Sequence, residues 1–177
     1  TIRGVDEIII TEGAPDWVSA VDHGFNAISP VTVSFREEDN EKLERLTRHV
    51  KNIYIINDNE ENDAGYNGAI KTGKYLTQKG RNVYLVELPR PSGVGKIDLN
   101  EYLRDHTADD LRKIMNESKT VLEILISGLP DNFLKAQPII KEEIAPLLVD
   151  LDEGIIQYYS NQIAKKLKIS IKMVNLE

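Results

Sequence analysis

Short runs of β-branched and aliphatic residues alternate with amphipathic stretches through the first half of the chain, and this alternation limits the fold more than any other feature. Val5-Asp6-Glu7-Ile8-Ile9-Ile10, Ala27-Ile28, Asn52-Ile53-Tyr54-Ile55-Ile56 and Asn82-Val83-Tyr84-Leu85-Val86 read as strands. Between them lie helical patterns. Asp16 to Val21 is short and stops near Gly24, and Glu41 to His49 carries Leu43 and Leu46 at helical spacing. Ala64 to Gln78 places Ala69, Ile70, Gly73 and Leu76 on one side, with Gly80 as its stop. Strands separated by helices cannot close as tight hairpins. They pair through crossovers, which implies βαβ units and a parallel sheet with helices against its faces.

Beyond the fourth strand the texture changes. Leu88-Pro89-Arg90-Pro91-Ser92-Gly93-Val94-Gly95 is a Pro/Gly loop, and Leu99 to Met115 reads as two helices, the second capped by Thr107. From Glu117 onward the pattern predicts helices and no strand. These are Lys119–Ser127, Asn132–Leu148 interrupted at Pro138 and Pro146, and Gly154–Leu167, with Ser170 capping a last helix from Ile169 to Lys172. The expected architecture is α/β: a central parallel sheet of about four strands flanked by helices, then a small all-helical C-terminal region. The boundary is placed near residue 116, dividing 1–116 from 117–177.

With 177 residues, 41% of them hydrophobic, the chain can bury one core of ordinary size. Cysteine is absent, which excludes disulfides and cysteine-ligated zinc and fits a cytoplasmic protein. No run of about 18 apolar residues occurs, so no membrane span is expected. The start, Thr1-Ile2-Arg3-Gly4-Val5-Asp6, lacks an initiator methionine and an apolar signal core, and reads as the start of a fragment cut from a longer protein. The formal charge is −7. Bulk attraction would therefore not carry this chain to nucleic acid, whose phosphates need Lys and Arg. Divalent cations at a carboxylate cluster, or basic surface elsewhere in the parent protein, would have to offset the charge.

Two acidic sites fall just past strand ends, where parallel sheets hold their ligands. Glu12 follows the first strand and precedes Gly13. Asp58 follows the third, with Glu60, Glu61 and Asp63 behind it and then Gly65. If the two strands are neighbours, the carboxylates share one crevice and repel unless a cation lies between them. Mg2+ suits such oxygen ligands and retains waters for substrate phosphates. The plainer alternatives are a turn or cap glutamate, and a solvated acidic face complementing a helix dipole.

Thr11-Glu12-Gly13-Ala14-Pro15-Asp16-Trp17-Val18-Ser19-Ala20, followed by Gly24-Phe25-Asn26-Ala27-Ile28, resembles the first TOPRIM motif of bacterial-type, DnaG-like primases. That motif is a glutamate, a glycine, an aspartate four residues after the glutamate, a helix, a glycine and a short strand. Ser29-Pro30-Val31-Thr32 stands where the family has a small-residue loop with a threonine. Ile55-Ile56-Asn57-Asp58-Asn59-Glu60-Glu61-Asn62-Asp63-Ala64-Gly65 is similar to the second motif, an aspartate pair before Ala-Gly at a helix start. Here the second acid is Glu60 and about two extra residues precede Ala64, which leaves Glu60, Glu61 and Asp63 as alternatives for the second ligand. Lys96-Ile97-Asp98-Leu99-Asn100-Glu101 resembles the Lys-Asp-x-Asn-Glu stretch of phage-type primase–helicases. The resemblance spans residues 5 to about 105.

It implies a TOPRIM, Rossmann-like fold in which Glu12, Asp58 and Glu60 hold Mg2+ or Mn2+, with Glu12 also able to act as general acid or base. Asp16, Asp63 and Asp98 are further candidates, and plain helix capping is the alternative for Asp16 and Asp98. The implied activity is metal-dependent nucleotidyl or phosphoryl transfer on nucleic acid. It is foremost that of the TOPRIM portion of a DNA primase making RNA primers from nucleoside triphosphates on single-stranded DNA, incomplete by itself. A TOPRIM nuclease and a non-catalytic binding module are the alternatives.

Lys71, Lys74, Arg90 and Lys96 are candidates for phosphate contact, against ordinary solubilising charge. Trp17 can stack a base or pack against a neighbouring layer. His23, His49 and His106 lack metal-ligand spacing, and Gly93-Val94-Gly95-Lys96 lacks the upstream glycine and following hydroxyl of a Walker loop. Ile144-Ala145-Pro146-Leu147-Leu148 and Tyr159 to Leu167 resemble a stretch after the TOPRIM domain of DnaG-like primases. These helices read either as a bundle packed on the sheet or as a surface for template or a helicase partner, with Lys165, Lys166, Lys168 and Lys172 near it.

Overall fold

The computed structural model describes residues 4–30, 39–60 and 64–174. Its core is a five-stranded sheet built from β1 (Glu7–Thr11), β2 (Ala27–Ile28), β3 (Asn52–Ile56), β5 (Asn82–Leu85) and β7 (Lys119–Thr120), in the order β2-β1-β3-β5-β7. The pairings β1–β2, β1–β3 and β3–β5 are parallel, as the strand–helix alternation requires. A separate ribbon pairs β4 (Asn59–Glu60) antiparallel with β6 (Lys96–Ile97).

Successive side chains of a strand point to opposite faces, so strands covered on both sides read as unbroken apolar runs. Ile8, Ile10, Ile53, Ile55, Val83 and Leu85 enter one core cluster, and Ile9, Tyr54 and Ile56 enter another. Leu43 of α2 (Asn40–Thr47) and Ala69 and Leu76 of α3 (Ala64–Gln78) join the first cluster. Ala20 of α1 (Ala14–Asp22), Tyr102 of α4 (Leu99–Asp105) and Leu111 and Met115 of α5 (Ala108–Glu117) join the second. Thr107 caps α5 as its position suggested, accepting from the Asp110 N–H in a reciprocal capping box.

The four strands read from the sequence are all present and mutually parallel, with bounds shifted by one or two residues at β1 and β5. The fifth corrects the expectation of helices alone after Glu117. Lys119 and Thr120 pair antiparallel with Leu85 and Tyr84 at the sheet edge. Two residues, one of them an exposed lysine, carry no hydrophobic period. Thr120 also caps α6 (Val121–Ser127), accepting from the Glu123 N–H, which made the segment read as one helix. The helices that follow are α7 (Phe133–Ile139), α8 (Ala145–Leu148) and α9 (Glu153–Leu167), with a π-helical turn at Ile140–Ile144 between α7 and α8. Pro146 has no N–H to donate back into the preceding turn, and the wide turn ahead of it absorbs that loss. Val121, Ile126, Ile140, Ile144, Tyr159 and Ile163 lie in the same cluster as the sheet residues Ile8 and Ile53. Residues 117–174 therefore form a layer on the sheet and contribute to its core. The last helix expected from Ile169 is a single 3-10 turn, Ile171–Met173, after Lys168 ends α9 in a left-handed conformation (φ 54°).

Gly73 lets α3 approach both the sheet and α6. A Cβ there would stand 2.6 Å from Val121 Cγ2 and 3.5 Å from Val83 Cγ1. Gly73→Ala is expected to lower stability in urea denaturation by about 1–3 kcal/mol, the range for overpacking. Adding Val121→Ala should recover part of that loss through a positive coupling in the double-mutant cycle.

Candidate metal centre

Adjacency of β1 and β3 places their carboxyl ends side by side, with Thr11 in register with Ile56. The two acidic sites one and two residues beyond therefore meet. Glu12 Oε2 accepts the backbone N–H of Asp58 at 3.3 Å. The turn after β1 is held by the Thr11 hydroxyl, which donates to the Gly13 carbonyl at 3.1 Å. The start of α3 closes the site from above. A Cβ on Gly65 would stand 2.8 Å from the Asp58 carbonyl and 3.1 Å from Glu12 Oε2, so only glycine permits this approach. Asn57 Nδ2 donates to the Gly65 carbonyl at 2.9 Å and ties the helix start to the strand end.

Asp58 continues into β4, and antiparallel pairing sets Glu60 opposite Lys96 of β6. Lys96 Nζ lies 2.5 Å from Asp58 Oδ2, in an ion pair whose aspartate side chain is only 10% exposed. Burial pushes the Glu12 carboxyl above its ordinary range, and the Asp58 and Glu60 charges push it further, against the Asp58 N–H and Lys96. The Asp58 carboxylate and its neighbours in turn hold the Lys96 ammonium above its usual range.

Asp16 lies in the first turn of α1 and is buried. Its Oδ1 accepts the Asn100 N–H at 3.0 Å, so it links α1 to the start of α4. Burial raises its pKa despite that bond, and Asp98 and Asp58 raise it further. Asp98 is the N-cap of α4, accepting the Glu101 N–H at 2.7 Å in a capping box. Asp63 and Glu61 lie outside the described residues. Of the candidate phosphate contacts, Lys96 joins the acid cluster. Lys74 pairs with Glu143 of the π-helical turn, Arg90 donates to the Gly95 carbonyl at 2.9 Å, and Lys71 is exposed on α3. Trp17 is 41% exposed, and its indole N–H donates to the Ala27 carbonyl of edge strand β2.

A cavity of about 540 Å3 opens beside Asp58 and Glu60, lined also by Asn57, Tyr66, Glu117 and Lys119. Sequence reading did not single out these last four. Asn57 carried no charge, and Glu117 and Lys119 come from a segment with no local tie to the motifs. Among the described residues, no three His, Cys, Asp or Glu side chains are grouped so as to hold an ion. Mg2+ needs only one or two carboxylates and completes its octahedron with water and phosphate, so Glu12 and Asp58, with Glu60 nearby, are a chemically suitable donor set.

Residues 9–103 match the model of a family described as Toprim-like. The chain belongs to the Toprim-like family. It is 29% identical over 133 residues to the DNA primase of Staphylococcus aureus strain MRSA252, a stretch covering 74% of this chain and 20% of the relative. The Staphylococcus epidermidis DNA primase is 29% identical over 119 residues, covering 67% of this chain and 18% of the relative. The chain thus spans about a fifth of the length of these primases. In fold it is similar to a structure described as the DnaG primase catalytic domain bound to ssDNA, with a TM-score of 0.72, 16% identity, and coverage of 96% of this chain and 54% of that one. The zinc-binding and RNA polymerase domains of Aquifex aeolicus primase superpose with a TM-score of 0.68 at 22% identity, covering 94% of this chain and 38% of that one. The DnaG-like TOPRIM resemblance read from the motifs and these matches agree. Among the described residues no helix is long and apolar enough to cross a membrane.

Burial of Glu12 favours its protonated form. The folded state holds that proton more tightly than the unfolded chain, so this group's contribution to stability is most favourable below pH 4.5 and falls as pH rises through the folded value. Glu12→Gln is expected to raise the melting temperature of the metal-free chain at pH 7, with the gain vanishing below pH 4.5. Gly65→Ala should instead destabilise at both pH values, because the clash is with backbone.

Proposed function

We propose that this chain is the TOPRIM portion of a DNA primase and works in divalent-cation-dependent nucleotidyl transfer on single-stranded DNA. The observation that carries the reading is the meeting of Glu12 and Asp58 at adjacent strand ends, beside a cavity of nucleotide size, in a chain homologous to DNA primases. Glu12, Asp58 and Glu60 would hold Mg2+ or Mn2+, with Asp16, Asp63 and Asp98 as further candidates. A bound divalent cation there would neutralise the carboxylates and stabilise charge on transferring phosphate oxygens. Glu12, whose carboxyl burial favours in the protonated form, can also hold or release a proton at Oε1 or Oε2. Lys96, which lies against Asp58, would contact phosphate oxygens of the substrate, and Lys71, Lys74 and Arg90 are the further candidates for such contact.

The partners are the template strand, nucleoside triphosphates and a helicase domain or subunit, in the cytoplasm. Since the chain spans about a fifth of its curated relatives, primer synthesis belongs to the whole parent protein. The helical layer after residue 116 supports α3 from one side, and the lysines at the end of α9 offer it a basic edge toward template.

Thermal melting with added cation tests the reading. A site bound only in the folded state stabilises by about 2.7 kcal/mol at a hundred times its Kd. For a chain of this size that is a rise of about 5–10 °C with Mn2+ or Mg2+. The Glu12→Gln/Asp58→Asn variant should show no rise. An equal rise in that variant, or none in the wild type, removes the metal site. In the parent protein, Asp58→Asn should abolish ribonucleotide incorporation on single-stranded DNA, whereas metal-dependent cleavage without incorporation would reassign the site to hydrolysis.

A further inference from the structure

Lys96 is placed where a cation belongs. Its ammonium contacts Asp58 Oδ2, and it faces Glu60 across the β4–β6 ribbon. The two partners differ in freedom. The Asp58 side chain is 10% exposed and the Lys96 side chain 50% exposed, so the aspartate cannot turn to water for compensation while the lysine can leave without opening the core. The backbone beneath the lysine is anchored. Ile97 and Leu99 are 8% and 1% exposed in the core cluster, and Asp98 is tied into the α4 capping box. Motion is thereby confined to the four-carbon side chain. Lys74 and Arg90 have partners away from the acid cluster, in Glu143 and the Gly95 carbonyl.

An ammonium and a divalent cation cannot both sit against one carboxylate oxygen, because charge and volume exclude each other. We propose that Lys96 is the resident counter-ion of the Glu12–Asp58–Glu60 cluster, holding it together when no metal is bound and swinging out when a divalent cation takes its place. The inference rests on the cation-binding reading above and deepens it. Lys96 is a positioning residue on this account. It holds the Asp58 carboxylate in place beside Glu12 before loading, and loading frees its charge.

Isothermal titration with Mn2+ alone distinguishes this inference from the reading beneath it. Wild type, Lys96→Met and the control Lys113→Met are compared, with Lys96→Gln as a second Lys96 variant. Lys113→Met removes the same charge from α5, where Lys113 pairs with Asp110. Lys96→Met should bind Mn2+ about three- to tenfold more tightly than wild type and Lys113→Met, the scale of losing one partly exposed competing ion pair. Lys96→Gln should behave like Lys96→Met, and circular dichroism checks that each variant is folded. In wild type, the Lys96 side-chain NMR signal, identified by its loss in Lys96→Met, should move on adding Mg2+. Equal or weaker Mn2+ binding by both folded Lys96 variants, or a stationary Lys96 signal, overturns the exchange and leaves the metal site standing. Absence of Mn2+ binding in all the proteins overturns the metal site and the exchange together.

Discussion

The parallel pairing of β1 with β3 is the constraint on which everything else rests. With Thr11 in register with Ile56, the next residues of both strands emerge at one edge of the sheet, and the Glu12 carboxylate meets the Asp58 N–H at 3.3 Å. Separating the two strands by another would remove that bond and disperse the acidic groups. The pairing is itself held by burial on two faces, since Ile8, Ile10, Ile53 and Ile55 are at most 2% exposed on one side and Ile9 and Ile56 are 1% exposed on the other. Apolar burial, together with the Lys96–Asp58 ion pair, thus keeps like charges close.

Helix α3 couples this edge to the rest of the molecule. Its start touches the site through Gly65, and its middle rests on the sheet and α6 through Gly73. Its Lys74 reaches Glu143, beyond the first TOPRIM-like segment. The C-terminal helices consequently help set the height of α3 above Glu12, although none of the motif residues lies in them. On the other face, Asp16 performs a similar coupling by joining the first turn of α1 to the Asn100 N–H at the start of α4.

Much of this was legible locally. β-branched runs such as Asn52–Ile56 have no good alternative to a strand, Ala64–Gln78 has a clear helical stripe, and Thr107 reads as an N-cap by its position. The positions of Glu12 and Asp58 at strand ends followed from the same patterns. Strand β7 and the β4–β6 ribbon were not legible. A two-residue strand has too few side chains to show a period, and its pairing depends on a partner distant in sequence. The contacts of Lys96 were hidden for the same reason. A lysine after a Pro/Gly loop carries no local sign that a ribbon will aim it at Asp58.

The sequence by itself determined the class of fold, the order of elements and the two acidic strand ends, because strand and helix periodicity and capping are written within a few neighbouring residues. Only the tertiary structure decided that Glu12 bonds to Asp58, that Lys96 pairs with Asp58, that Asp16 bridges two helices, and that the C-terminal helices share the core of the sheet. Each of those depends on which strands become neighbours and how closely helices approach, and these are settled by packing between segments far apart in the chain.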